Sequence, residues 1–176
     1  PDHIKKLEKI GQVDRFEVYQ NIDGKSLGQM LKGYQYIIAS VTPFFDKEFF
    51  ENVDDLRLIS RHGIGYNNVD LTCAKEKGVI VSIVPSLVER DSVAENNITN
   101  LLALMRMTIN SSKKVRDDKW EMRANFVGNS LYHKIVGVIG IGNTGSQVAR
   151  TLREGFQCRV LGYDPYKDKL ELEQFG

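Results

Sequence analysis

The sequence predicts an α/β chain built on parallel sheets, and three observations predict it. Short, β-branched apolar runs recur at Tyr36–Ala39, 56–60, 79–81, Ile135–Ile139 and Arg159–Tyr163. Stretches with helical spacing separate most of them, through loops of ordinary length, as crossover connections require. One run, Ile135-Val136-Gly137-Val138-Ile139, leads straight into Gly140-Ile141-Gly142-Asn143-Thr144-Gly145, which fits G-x-G-x-x-G.

From the start, Ile4, Leu7 and Ile10 have helical spacing, with Gly11 as the stop. Phe16-Glu17-Val18-Tyr19 reads as a short strand and Asp23-Gly24 as a turn. Leu27, Met30 and Leu31 mark a second short helix that ends near Gly33. Tyr36–Ala39 is expected as a buried strand, 44–52 as a helix, 56–60 as a strand, 71–77 as a helix closed by Gly78, and 79–81 as a strand.

Two loops follow strands of this region, at the sheet end where open α/β folds hold ligands. One is Ser40-Val41-Thr42-Pro43. The other runs from Arg61 through His62, Gly63, Ile64, Gly65, Tyr66, Asn67, Asn68 and Val69 to Asp70. Gly63 and Gly65 can expose main-chain N–H groups that hold a carboxylate. Equally, the glycines can serve only to make the turn. His62 adjoins them but has no orienting carboxylate in view, and His3 and His133 are weaker candidates for chemistry.

Residues 85–90 read as a connecting loop. Ser92-Val93-Ala94-Glu95 fits a capping box at the start of a long linking helix, whose apolar face carries Ala94, Ile98, Leu101, Leu102 and Met105. A further helix is expected over 109–123. Met105, Met107, Met122 and Trp120 suit packing or subunit contact better than a cofactor box.

The stretch 134–164 carries the most specific chemistry. A strand precedes the glycines, a helix face of Val148, Ala149 and Leu152 follows, and the next strand ends in Asp164, nineteen residues beyond Gly145. Gly140 permits the turn, Gly142 lets main chain approach a pyrophosphate, and Gly145 allows close helix–strand packing. The helix beginning near Asn143 aims free N–H groups at the phosphates. Asp164 can accept from both adenosine ribose hydroxyls and repels a 2′-phosphate. Pro165, not Arg, follows it, so the expected cofactor is NAD and not NADP.

The chain has 176 residues, 41% hydrophobic and 27% charged, with a formal net charge of +1, which suits a packed globular protein. The basic run 113–119 is broken by Asp117 and Asp118 and reads as a solvated helix face, so nucleic acid is not an expected partner. Cys73 and Cys158 are isolated, as expected of thiols in a reducing cytosol. No transmembrane run, repeat or metal-ligand pattern stands out. The chain starts at Pro1 and stops just after the second strand of a nucleotide fold, and so reads as part of a longer protein.

The order of these motifs resembles the D-isomer-specific 2-hydroxyacid dehydrogenases over essentially the whole chain. The stretch 60–70 is similar to that family's substrate-domain loop, Ser92-Val93-Ala94-Glu95 to the start of its interdomain helix, and 134–165 to its NAD fingerprint. The resemblance implies a flavodoxin-like substrate domain over 1–90. It implies an interdomain helix with the first part of a Rossmann NAD-binding domain over 91–176. It implies that Gly63, Ile64 and Gly65 hold the substrate carboxylate, with Ile64 also facing the nicotinamide and Ser92 near that end. Asn143 and Thr144 then contact the pyrophosphate and Asp164 the ribose. It further implies hydride transfer between NAD(H) and a small 2-hydroxy or 2-oxo acid, a homodimer, and a cytoplasmic location. The family's catalytic Arg, Glu and His match no residue here and are expected beyond residue 176, so the fragment is expected to be inactive. The alternative is an NAD-responsive corepressor of the kind some relatives have become.

The sequence also departs from the pattern. Ala39 and Ser40 stand where phosphoglycerate-specific members tend to carry Arg, which argues for a non-phosphorylated substrate. Asn67 stands where Asp is common, Asn96 where His is frequent, and Gln157 where Gly is usual.

Overall fold

A computed structural model describes residues 2–174, which form two compact units that meet in sequence between Val84 and Pro85. In the first, α1 (Asp2–Leu7) precedes an irregular stretch and α2 (Gly24–Met30). Then come β1 (Tyr36–Ala39), α3 (Lys47–Asn52), β2 (Leu58–Arg61), α4 (Leu71–Glu76) and β3 (Ile80–Ser82). The strands are parallel in the order β1-β2-β3, with Ile37 opposite Ile59 and Ile59 opposite Val81.

The strand expected at Phe16-Glu17-Val18-Tyr19 is not formed. It pairs with no other strand, and its side chains are used locally. Phe16 stacks edge-on against Tyr34 at 5.4 Å, and Val18 packs on the core. The Asp23-Gly24 turn is instead a helix start, because the Asp23 side chain accepts from Ser26 N–H. Asp46 and Asp70 cap α3 and α4 in the same way, so each helix begins where an aspartate supplies the missing acceptor.

One side of this sheet is closed by Leu27, Phe45, Phe49, Phe50, Ile59 and Ala74. The rings of Phe45 and Phe49 meet edge-to-face at 4.9 Å. Glycines on α2 let it lie against α3, since a Cβ at Gly28 would stand 2.8 Å from Asn52 Cβ. The other side of the sheet corrects the expectation of a buried strand. Tyr36, Ile38 (63% exposed) and Ile80 face outward, because among the described residues the helices cover one face only.

The second unit opens with α5 (Leu87–Met105), followed by α6 (Thr108–Arg116) and a 3₁₀ turn over Trp120–Phe126. β4 (Ile135–Ile139), α7 (Asn143–Phe156), β5 (Arg159–Tyr163) and α8 (Lys169–Glu173) complete it. Two expectations fail here. Residues 87–90 are helical, because a proline just outside a helix start does not obstruct it. Ser92 therefore lies inside α5, its hydroxyl donating to Glu89 O, and makes no capping box. The helix expected over 109–123 is broken at Asp118, which takes the left-handed conformation (φ 54°) that aspartate tolerates better than most residues. The short α8 was not foreseen.

β4 and β5 pair in parallel, with Val136 opposite Val160. Ala149 and Leu152 of α7 pack with Val160, Cys158, Leu131 and Ile98 into one core. Again one sheet face is covered. Val136 and Val138 point inward, while Ile135, Leu161, Tyr163 and Ile139 (87% exposed) point out, so these strands too are half-buried, not buried.

Gln157 ends α7 with φ 52°, a conformation in which a side chain costs roughly 1 kcal/mol. Gln157→Gly is expected to stabilise the protein by about that amount in urea unfolding. The Asp70 carboxyl is held below its ordinary value of 3.8, chiefly by the Cys73 N–H and also by Thr72 N–H. Its cap contribution is therefore complete above that ordinary value and disappears as pH falls through the depressed one. Asp70→Asn keeps an acceptor but has no proton to gain. Thermal unfolding followed against pH is expected to show a smaller loss on the acid side for this variant.

Candidate functional site

Because β1 and β2 are parallel, the loops that leave them, Ser40-Val41-Thr42-Pro43 and the stretch after Arg61, emerge at the same end of the sheet. Two buried polar side chains join them. Asn68, 6% exposed, donates through Nδ2 to Pro43 O at 2.9 Å and Ser40 O at 3.3 Å. Its Oδ1 accepts from Arg61 Nε at 3.2 Å. Arg61 Nη1 donates to His62 O at 3.0 Å and Ala39 O at 3.4 Å. Arg61 and Asn68 both stand within the stretch 61–70, but their local sequence pattern does not predict this contact. The available signal was a cation ending an apolar strand, Leu58-Ile59-Ser60-Arg61.

The glycine loop is more selective than the sequence suggests. Gly63 N–H is engaged, donating to Arg61 O at 3.0 Å, while Gly63 O accepts from Val84 N–H at 3.1 Å. Gly63 has φ 153°, which favours glycine. The N–H groups of Ile64 and Gly65, like those of Tyr66, Asn67 and Asn68 after them, donate to no protein acceptor among the described residues, so of the three residues Gly63, Ile64 and Gly65 the last two, not Gly63, are available to an anion. Such a pair suits a carboxylate. The His62 side chain is exposed and bonds to no carboxylate, so the loop holds no oriented acid–base pair.

The second site is the corner between β4 and α7. Gly140, at φ 87°, donates to Tyr163 O at 2.7 Å and turns the chain. A Cβ on Gly145 would run into the Gly140 carbonyl oxygen, so that glycine lets α7 sit on the turn. Gly142 differs from both. Its φ and ψ (−80°, −156°) are open to any residue, and a Cβ there meets nothing within 4 Å. Nothing inside the protein requires a glycine at 142, which is what is expected when the constraint comes from a group approaching from outside. The N–H groups of Gly142, Asn143, Thr144 and Gly145 have no protein acceptor and stand at the positive end of a 14-residue helix.

Asp164 completes this corner. Its Oδ2 accepts from Ile141 N–H at 2.9 Å and its Oδ1 from Tyr166 N–H at 2.9 Å. Of about four acceptor positions on a carboxylate, two remain for a ribose diol. The main-chain bonds fix the carboxylate beside the glycines before any ligand arrives. The residues therefore fit a dinucleotide: open space at Gly142, free N–H groups for phosphate, and a fixed acceptor for the sugar. Gly140, Gly142, Asn143, Thr144, Gly145 and Asp164 are brought together. Ser92 sits in the second turn of α5 with its hydroxyl held by the helix. Among the described residues no group of His, Cys, Asp or Glu forms a metal site, and no helix is long and apolar enough to cross a membrane.

Known proteins match over the whole chain. The model of the D-isomer specific 2-hydroxyacid dehydrogenase catalytic domain matches residues 1–129, and that of the same family's NAD binding domain matches residues 98–176. A D-3-phosphoglycerate dehydrogenase of Methanocaldococcus jannaschii is 33% identical over 99% of this chain and 32% of its own length. A glyoxylate reductase of Pyrococcus furiosus is 29% identical over 98% of this chain and 53% of its own. The solved D-lactate dehydrogenase of Aquifex aeolicus, in complex with NAD and lactic acid, superimposes with a TM-score of 0.72 at 28% identity, over 85% of this chain and 44% of that one. The chain thus spans about a third to a half of the relatives it matches.

The glycines separate structural from external constraint, and thermal unfolding can read the difference. Gly145→Ala is expected to lose about 1–3 kcal/mol through overpacking. Gly142→Ala is expected to stay within about 0.5 kcal/mol of the parent.

Proposed function

The chain belongs to the D-isomer-specific 2-hydroxyacid dehydrogenases, NAD-binding oxidoreductases, and from that premise we propose which substrate class it serves and how. The reaction is hydride transfer between NAD(H) and a small, non-phosphorylated 2-hydroxy or 2-oxo acid. The unit over about 1–90 holds the acid, and the remainder provides the first half of the dinucleotide site. The observation that carries this reading is the pair of unengaged N–H groups at Ile64 and Gly65, beyond a β1 loop that contains no basic residue.

NADH, when bound, supplies the hydride. The N–H groups of Gly142, Asn143, Thr144 and Gly145 bind the pyrophosphate, and Asp164 accepts from the ribose and disfavours a 2′-phosphate. Ile64 and Gly65 hold the substrate carboxylate, which orients the carbonyl carbon, and the Ile64 side chain excludes water on that side. No histidine among the described residues is paired with a carboxylate, so proton transfer to the carbonyl oxygen is assigned to a group outside this chain. Residues 1–176 alone are then inactive. A second copy of the chain as partner is supported by the exposed Leu104, Ile109, Trp120 and Val127.

Two measurements test the reading. The purified chain is expected to bind NADH at least about tenfold more tightly than NADPH, and Asp164→Ser is expected to remove most of that preference, as loss of a charge repulsion requires. Stopped-time assays with NADH and glyoxylate or pyruvate are expected to show no oxidation by the chain alone. Tighter binding of NADPH, or turnover by residues 1–176, contradicts it.

A further inference from the structure

Arg61 is 3% exposed, yet it has no countercharge. Its Nε and Nη1 bond to Asn68 Oδ1, Ala39 O and His62 O, all neutral acceptors. The ion pairs among the described residues all lie elsewhere, on side chains at least 30% exposed. A buried charge left without an opposite charge is costly, and a fold keeps one where something else completes it.

The side chain shows where that completion lies. Nη2 bonds to no protein acceptor, and no fully buried side-chain nitrogen or oxygen among the described residues is left unpaired. Nη2 is therefore the end of the guanidinium that reaches open space. It lies under the glycine loop, since a Cβ on Gly63 would stand 3.1 Å from Nη2 and 3.2 Å from Nη1. The next two residues carry the free N–H groups. A fixed positive charge and two unengaged N–H groups thus share one turn of chain, with the other guanidinium nitrogens locked so that the charge cannot swing away.

We propose that Arg61 is a specificity-determining and positioning residue, a buried countercharge packed against Gly63, next to Ile64 and Gly65 in the chain, that makes the loop select an anionic carboxylate over a neutral carbonyl compound. This rests on the reading of the loop given above. Arg61 fulfils two tasks. Through Asn68 it holds the Ser40–Pro43 and glycine loops in register, and through its charge it sets the sign of the ligand. Lysine can keep the second task while losing part of the first. Methionine keeps neither.

The test is a titration of the ¹⁵N-labelled chain with oxamate, a non-reducible 2-oxo acid isostere, and separately with uncharged oxamide. The Ile64 and Gly65 amide signals and the Arg61 Nε–H signal are expected to move together with oxamate and give one dissociation constant. Oxamide is expected to bind at least about tenfold more weakly, as loss of a charged hydrogen-bond partner implies. Arg61→Met is expected to weaken oxamate about tenfold and to abolish the preference over oxamide. Arg61→Lys is expected to restore most of both, which a purely structural role would not do. Equal affinity for oxamate in the parent and Arg61→Met overturns the proposal. So does an Arg61 Nε–H signal that stays fixed while the amides saturate, and that observation on the unmodified chain decides the matter if Arg61→Met does not fold. If Ile64 and Gly65 themselves ignore oxamate, the carboxylate loop is wrong and the role of Arg61 falls with it.

Discussion

The candidate sites depend on one constraint: main-chain N–H groups that the fold leaves without an acceptor. A folded chain ordinarily satisfies its polar main chain internally or with water, because a dry, unpaired N–H is costly. In this protein two sets of such N–H groups stand in loops that follow strands, at Ile64 and Gly65 beyond β2 and at Gly142 through Gly145 beyond β4, each time at the C-terminal end of a parallel strand. Parallel strands carried on crossover connections present their loops at one sheet end, where open α/β folds hold ligands.

Each group of donors is held by a charged side chain that is itself tied to main chain. At the dinucleotide corner, Asp164 binds Ile141 N–H and so takes that donor out of play, leaving those of the four following residues free. At the glycine loop, Arg61 is clamped by Asn68, Ala39 and His62. The signs are opposite and suit different tasks. A carboxylate beside the first corner suits acceptance from sugar hydroxyls and repulsion of an added phosphate, whereas a guanidinium beside the second loop suits an anion. Fixed groups of this kind need no rearrangement when a ligand arrives, which is where preorganised sites gain over water.

Much of this was legible in the sequence. Tyr36–Ala39, Ile135–Ile139 and Arg159–Tyr163 form strands with the bounds read from their apolar runs. The dinucleotide corner was readable because each glycine in it has a separate job. What escaped depends on partners distant along the chain. Phe16 to Tyr19 has strand-like residues but no strand to pair with. Ser92 to Glu95 has the letters of a capping box, yet helix already existed upstream of it. Tyr36, Ile38, Ile135 and Ile139 have the composition of buried strands, and only the layout of helices shows that one sheet face stays open. Arg61 was the largest omission, because its lack of a countercharge is visible only in three dimensions. Gln157, a departure from the glycine usual there, occupies a left-handed position where glycine is favoured.

The central claim is that dinucleotide phosphate rests on the free N–H groups of the corner after β4. The most direct test is a ¹H–¹⁵N spectrum of the chain titrated with NADH. The account predicts that the amide signals of Gly142, Asn143, Thr144 and Gly145 shift and saturate together, while that of Ile141, already held by Asp164, moves little. Saturable binding that leaves those four signals in place, or that maps instead to the basic face of α6, would contradict it.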